Sequence, residues 1–381
     1  MNQIQGRRRF SVGLGALALG GFHLARAQSD NRIVLGQSAP FTGPASQLGA
    51  QLNLGAQLFF DQFNAQGGLG GRQVEIRTLD DGYEPERCAE NTRKFIADDV
   101  FALFGYVGTP GSLAAMPLFT KARLPFFGPF SGAEVLRQPF NRLIFHVRAS
   151  YYDETALIVR HLTSLGLKKI AVFHQNDSYG MAGLDGVTKA LTTIDLAPAA
   201  TATVERNSTN VKAAIDKLLA AAPHAVVLVT TYASAAAFVR AARKAGFRGT
   251  FYNVSFVGTQ ALADTLGADS AGVVISQVVP SPYRPAHQLT REFLDAIKKG
   301  GYKVQPNYSS LEGYLAAHVF AEGLRQAQDS GRLTRESFIA GTEAIGNRTI
   351  SGFPVSFSAS NHAASKFVEI SMLTGDGRVR S

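Results

Sequence analysis

The stretch Phe101 to Leu118, FALFGYVGTPGSLAAMPL, runs as an apolar, strand-forming segment, breaks into Gly108-Thr109-Pro110-Gly111-Ser112, and resumes with helix formers. A strand that turns through glycines into a helix aims backbone N–H groups and the positive end of the helix dipole at whatever lies in front of it. The break reads as a place to hold an anion. It lacks the lysine of a phosphate-gripping G-x-x-x-x-G-K-[ST] loop, which argues against nucleotide chemistry.

A second turn of the same order follows at Phe127-Gly128-Pro129-Phe130-Ser131-Gly132-Ala133-Glu134, again with a free hydroxyl. In an open α/β sheet ligands sit outside the carboxyl ends of the strands, so two such turns on neighbouring strands can converge on one ligand. The alternative is that Thr109 and Ser131 only satisfy local N–H groups in ordinary turns. The glycine cluster Gly67-Gly68-Leu69-Gly70-Gly71 runs from helix into strand, the wrong order for a phosphate loop, and reads as a helix stop and tight turn.

Outward from these turns, strands and helices alternate with little filler. Arg32 to Gly36 reads as a strand, Leu48 to Asn64 as a helix, Gln73 to Leu79 as a strand, Glu84 to Ala97 as a helix. Strand Phe101 to Gly105, helix Ser112 to Ala122, and strands Pro125 to Gly128 and Leu143 to Val147 complete a run of β-α-β units. Such a run predicts a parallel sheet covered by helices on both faces. From Asp153 the alternation starts over and continues to about Ile275, and a single sheet of about ten strands would exceed the usual size, so a second sheet is expected. The segment Val279 to Pro285, with three prolines, reads as a linker. Beyond it lie two helices, Gln288 to Lys299 and Leu311 to Ala327, and strand-like stretches Phe353 to Phe357 and Lys366 to Met372.

The chain has 381 residues, 45% hydrophobic and 18% charged, which fits two globular domains. The N-terminus reads as an export signal: Arg7-Arg8-Arg9, an uncharged run from Phe10 to Phe22, and Ala25-Arg26-Ala27 as a small-x-small cleavage site. Arg7-Arg8-Arg9-Phe10 fits a twin-arginine signal as well as an ordinary secretory one. Cleavage after residue 27 removes four arginines and no acid, lowering the net charge from +9 to +5. That mild balance gives no reason to expect nucleic acid as a partner. No later apolar run approaches the roughly 20 residues that cross a bilayer. The single cysteine, Cys88, excludes an intrachain disulfide. No H-E-x-x-H, G-x-S-x-G or Cys/His metal spacing is present, so neither enzyme nor metal or other cofactor is expected.

The order and spacing of several segments resemble the periplasmic substrate-binding proteins of ABC importers, of the leucine/isoleucine/valine-binding type. These are Gly36-Gln37-Ser38-Ala39-Pro40-Phe41-Thr42-Gly43-Pro44, Asn64 to Arg72, Leu79-Asp80-Asp81-Gly82-Tyr83-Glu84-Pro85, Gly105 to Ser112, Phe145-His146-Val147-Arg148, and Asp177-Ser178-Tyr179-Gly180. The resemblance implies two α/β lobes with doubly wound parallel sheets, joined by three hinge crossings and closing on a ligand. The lobes would comprise 28–149 with about 281–363, and 150–280 with about 364–381.

The same resemblance places a ligand-carboxylate hydroxyl on Thr109, adjoining contacts on Phe130, Ser131 and Gly132, and second-lobe aromatics on Tyr179 and Tyr232. Where leucine-binding members carry a glutamate for the ligand ammonium, this chain reads Tyr252-Asn253-Val254-Ser255-Phe256, with Ser255 at the site and no acid. Asp153 is either a substitute for that acid or a cap for the following helix. The implied function is capture of an amino acid or related small carboxylate in the periplasm by a monomer that delivers it to an ABC permease with its ATPase. A sensor reporting to a membrane receptor needs the same two lobes and stays open; an exported hydrolase lacks its nucleophile motif.

Overall fold

From residue 32 to about residue 277 strands and helices follow the expected alternation closely enough to fix the topology. The structure, a computed structural model, describes residues 32–380; the export-signal reading lies outside the described residues. The first sheet is built from β1 (Arg32–Ala39), β2 (Gln73–Asp80), β3 (Ala102–Phe104), β4 (Phe126–Phe127) and β5 (Ile144–Phe145), in the order β2-β1-β3-β4-β5. Every neighbouring pair is parallel. The connections are α1 (Ser46–Ala65), α2 (Pro85–Ala97) and α3 (Thr109–Lys121).

The second sheet takes β6 (Ile170–Gln175), β7 (Ala200–Val204), β8 (Ala225–Val229), β9 (Thr250–Asn253) and β10 (Val273–Gln277), these five parallel to one another. Its helices are α4 (Tyr151–Ser164), α5 (Ser178–Thr192), α6 (Lys212–Ala220), α7 (Tyr232–Lys244) and α8 (Thr259–Leu266). β6 and β8 are buried along their whole length, as strands of a parallel sheet with both faces covered must be.

The remainder departs from the expected pattern. After α9 (Gln288–Lys299) and α10 (Tyr308–Asp329) comes a third helix, α11 (Arg335–Glu343), whose start is fixed by the Thr334 side chain accepting from Ser337 N. The strand-like tail divides: β11 (Asn347–Ile350) and β12 (Phe353–Ser356) form an antiparallel hairpin of their own. β13 (Glu369–Leu373) and β14 (Val379–Arg380) extend the second sheet antiparallel beyond β10, giving the order β14-β13-β10-β9-β8-β6-β7.

The chain thus passes three times between the two layers: after β5, after β10, and between β12 and β13. The first and third passages are tied together, since His146 N donates to His362 O and Ala364 N to His146 O, each at 2.8 Å. α10 returns the chain to the first layer and lies against α1 at glycine contacts. A Cβ on Gly55 would stand 1.7 Å from Ser310 O, and one on Gly313 would stand 2.0 Å from Leu52 O. This close crossing brings the first turns of α10 to the floor of the cleft.

Candidate functional site: the cleft between the lobes

Two hydroxyls meet at the carboxyl end of the first sheet. The turns after β3 and β4 are laced together by Phe130 N donating to Tyr106 O (2.8 Å) and Gly108 N to Phe130 O (3.1 Å). That lacing sets Thr109 Oγ1 2.8 Å from Ser131 Oγ, both side chains fully buried. The helix begins at Thr109 rather than at Ser112. Gly108, at φ +94, makes the turn in the left-handed region, and Pro110 in the first helical turn gives up an N–H that would have had no intrahelical partner. A Cβ on Gly108 would lie 2.5 Å from the Tyr83 ring, which therefore packs flush on the turn. Tyr83 itself holds φ +66, stabilised by its N–H donating to Asp81 Oδ1 at 2.8 Å.

The opposite wall is aromatic. Phe256, fully buried on the second lobe, lies 5.3 Å from the Phe130 ring, 6.1 Å from Tyr83 and 4.5 Å from Tyr179, centroid to centroid. Tyr179 lies in the first turn of α5, where Asp177 accepts from Tyr179 N (3.0 Å) and Gly180 N (3.3 Å), and the Tyr179 hydroxyl donates to Thr230 O. Tyr151 stands 5.5 Å from Tyr179 and packs against Gly132, where any Cβ would collide with it at 2.7 Å.

The floor is ionic and was not anticipated from sequence. Arg148, on the first passage between the layers, is 2% exposed. Its Nη2 donates to Ser255 Oγ on one lobe, and its Nε lies 3.2 Å from Glu312 Oε1 of α10 on the other. Its guanidinium also covers the Phe130 ring at 4.6 Å. Glu154, fully buried in the first turn of α4, accepts from Ser255 N (2.7 Å), Ser255 Oγ (3.1 Å) and Ser276 Oγ (2.6 Å). Burial pushes the Glu312 carboxyl up to about 7 against the opposing pull of Arg148, and raises Glu154 likewise. Burial also opposes the charge of Arg148, yet Glu312 and Glu154 together hold its pKa above the ordinary arginine value.

The lobes touch across the cleft. Tyr232 Oη accepts from Gln47 N at 3.4 Å. Asn207 Nδ2 donates to Gly82 O (3.1 Å) and Glu84 Oε1 (2.8 Å), and Arg206 pairs with Glu84 at 3.1 Å.

Thr109, Phe130, Ser131, Gly132, Tyr179 and Tyr232 are therefore brought to one cleft. Ser255 reaches it too, but its hydroxyl is engaged with Arg148 and Glu154. Asp153 is placed differently: its Oδ2 accepts from Ser150 N (3.0 Å) and Oγ (2.7 Å) in a capping box, and it borders an outer groove between α4 and α5. It is the third helical residue, not the cap; Ser150 is the cap. Sequence reasoning did not single out Tyr83, Arg148, Tyr151, Glu154, Phe256 or Glu312 as cleft residues. Only Tyr83 and Arg148 carried a signal, each lying in a segment singled out for its spacing.

Two parallel α/β sheets joined by three passages of the chain define a class of fold, and comparison with known proteins agrees. Residues 32–377 match the family described as periplasmic binding protein. The chain belongs to that family. A Leucine-, isoleucine-, valine-, threonine-, and alanine-binding protein of Pseudomonas aeruginosa is 24% identical over 327 residues, covering 86% of each chain. Two solved structures are similar at 32% identity. One, described as of a possible leucine/isoleucine/valine-binding protein from Rhodopirellula baltica, has a TM-score of 0.88, covering 92% of this chain and 96% of its own. The other, a substrate-binding periplasmic protein from Ralstonia solanacearum, has a TM-score of 0.85, covering 91% of this chain and 99% of its own. The likeness is to the leucine/isoleucine/valine-binding type. No helix among the described residues is long and apolar enough to cross a membrane.

Proposed function

We propose that this protein is the extracytoplasmic solute-binding component of an ABC importer, not an enzyme. It captures an amino acid, branched-chain or otherwise hydrophobic, or a related small carboxylate, and delivers it to a membrane permease. The observation that carries this reading is the Thr109–Ser131 hydroxyl pair, set at a helix N-terminus on one lobe beside Phe130, whose ring lies 5.3 Å from the Phe256 ring of the other. Hydroxyls and a helix N-terminus suit a single carboxylate, and rings suit an apolar tail. In this reading the lobes are 28–149 with about 281–363 and 150–280 with about 364–381. The contacts proposed for the ligand are Thr109, Phe130, Ser131, Gly132, Tyr179 and Tyr232, with Ser255 shaping the far wall. An export signal ending at Ala27 delivers the monomer to the periplasm.

A thermal-shift screen of the mature protein against amino acids and small organic acids tests the reading. A ligand at 100 times its dissociation constant adds about 2.7 kcal/mol of stability, which is easily read as a rise in melting temperature. Stabilisation by sugars or cations, with no response to any carboxylate, would remove the reading.

A further inference from the structure

The loop after β2, Asp80 to Glu84, meets the loop after β7, Glu205 to Ser208, and the two strands share a position: each is the edge strand of its sheet. The passages between the lobes leave from the other side. The first departs from β5, at the edge of the first sheet opposite β2, and the second and third join β10 and β13, across the second sheet from β7. At about 4.8 Å per strand, the four spacings from β2 to β5, or from β7 to β10, put these loops roughly 19 Å from the hinge strands. Loops so far from the axis part most for a given rotation.

On the first lobe the loop is built stiff. Asp80 Oδ1 accepts from Phe41 N (2.8 Å), Thr42 N (3.2 Å) and Gly82 N (3.0 Å), and Asp81 accepts from Ser38 Oγ (2.7 Å) and Tyr83 N (2.8 Å). Gly82 and Tyr83 are both left-handed, at φ +58 and +66. Glu84, which follows, has both carboxylate oxygens taken by the other lobe: Oε1 accepts from Asn207 Nδ2 at 2.8 Å, and Oε2 lies 3.1 Å from Arg206 Nη2. Asn207 Nδ2 also donates to Gly82 O at 3.1 Å. On the second lobe Asp177 Oδ2 steadies Arg206 Nη1 at 3.5 Å, and Ser208 O accepts from Ser234 Oγ of α7 at 2.8 Å. Asn207 is left-handed too, at φ +59, so residues other than glycine hold this conformation on both sides of one contact.

These bonds join residues of different lobes and exist only when the lobes are together, so they favour the closed form whatever the solute. The Glu84 and Arg206 side chains are 40% and 24% exposed, and a pair that water and ions can reach weakens as ionic strength rises. Resting on the reading of the protein as a two-lobe solute trap, we propose that Glu84, Arg206 and Asn207 form a salt-sensitive latch at the edge away from the hinge. The latch holds the lobes shut and sets how fast the solute leaves, while the headgroup site sets which solute enters. The three are positioning residues, acting through closure.

Small-angle scattering of the free mature protein, extrapolated to zero protein concentration, tests the latch without any solute. The Debye length falls from about 30 Å at 0.01 M salt to about 3 Å at 1 M, so NaCl at these two concentrations leaves a charged latch intact or screens it. The parent is expected to have its smaller radius of gyration at the low salt concentration and to expand at the high one. Glu84→Arg, which sets two guanidiniums face to face, should be expanded already at low salt. Asn207→Asp tolerates the left-handed turn but points an acceptor at Gly82 O and Glu84, and should expand likewise. Equal radii for the parent and both variants at low salt overturn the latch. Should urea unfolding show Glu84→Arg to be unfolded, Asn207→Asp and the parent's own response to salt carry the same test. Radiolabelled leucine, chased with an excess of unlabelled leucine, should leave Glu84→Arg about fivefold faster than the parent, the upper value for an exposed ion pair, with its association rate changed less than about twofold. Release at the parent rate overturns the latch. Failure of leucine to bind either protein counts against the amino-acid reading, and the scattering then decides the latch by itself.

Discussion

The wall of the cleft on the first lobe and the wall on the second are built by opposite means. On the first, Thr109 and Ser131 are placed by backbone: two adjacent βα turns, laced by main-chain bonds, put their hydroxyls 2.8 Å apart. On the second, Phe256 and Tyr179 are placed by side chains, through ring packing and the Ser255–Glu154–Ser276 network behind them. The first wall is thus preformed and suited to a fixed headgroup. The second acts on the ligand only when the lobes are together, so it can favour the closed state. Arg148 joins the two, holding Glu312 on one side and Ser255 on the other.

If the floor is what couples the walls, breaking it should have the largest effect. Arg148→Ala leaves two buried acids without their counterion and is expected to destabilise the protein by about 3 to 5 kcal/mol, measured by urea unfolding. A loss within a few tenths of a kcal/mol would mean the walls are held together elsewhere.

The Glu312 carboxyl gives a subtler version of the same test. Its folded-state pKa, about 7, lies above the ordinary 4.5, so the folded state holds the proton more tightly than the unfolded chain. Its contribution is fully present below about pH 4.5 and is lost as the pH rises through 7. The loss is on the order of 3 kcal/mol. Glu312→Gln should therefore show a flatter stability profile between pH 5 and pH 8 than the parent, read by the same unfolding assay; parallel profiles would assign the pH response to other groups.

On the first wall, Thr109→Ala removes one hydroxyl of the pair. It should weaken carboxylate binding by about 1.5 to 3 kcal/mol, the range for a hydrogen bond to a charged group, while leaving the unliganded fold intact. Unchanged affinity in calorimetry would take the hydroxyl pair out of the headgroup site. The smallest effect is expected from Tyr232→Phe, which removes only the long 3.4 Å bond from Gln47 N across the cleft. A loss of about 0.5 to 1 kcal/mol in ligand affinity is expected, with unfolding of the free protein nearly unchanged.

The same contrast explains what the sequence disclosed. The strand-glycine-helix order exposes the first wall directly, because the chemistry of a βα turn is local: Gly108, Thr109 and Ser131 lie where their neighbours in the chain put them. The helix start alone shifted, from Ser112 to Thr109, since a proline in the first turn marks a helix beginning as readily as a break. The floor is not local. Glu154, Ser255 and Ser276 come from three separate elements of the second sheet, Arg148 reaches them from the first passage, and Glu312 is added from α10, which crosses back onto α1 at Gly55 and Gly313; no periodicity reports such meetings. Phe256 is one of 26 phenylalanines, and nothing in its own neighbourhood separates a cleft ring from a core ring. α11 escaped notice because its nine residues carry little apolar periodicity, and its start depends on a Thr334–Ser337 box.

If one solute is held by both walls at once, its binding must draw the lobes together. Small-angle scattering of the mature protein, with and without a saturating carboxylate chosen by the thermal-shift screen, tests it most directly. A smaller radius of gyration is expected with ligand, as the open fraction of molecules is drawn into the closed form. An identical radius for the two samples, at a concentration where calorimetry shows the site filled, would contradict it.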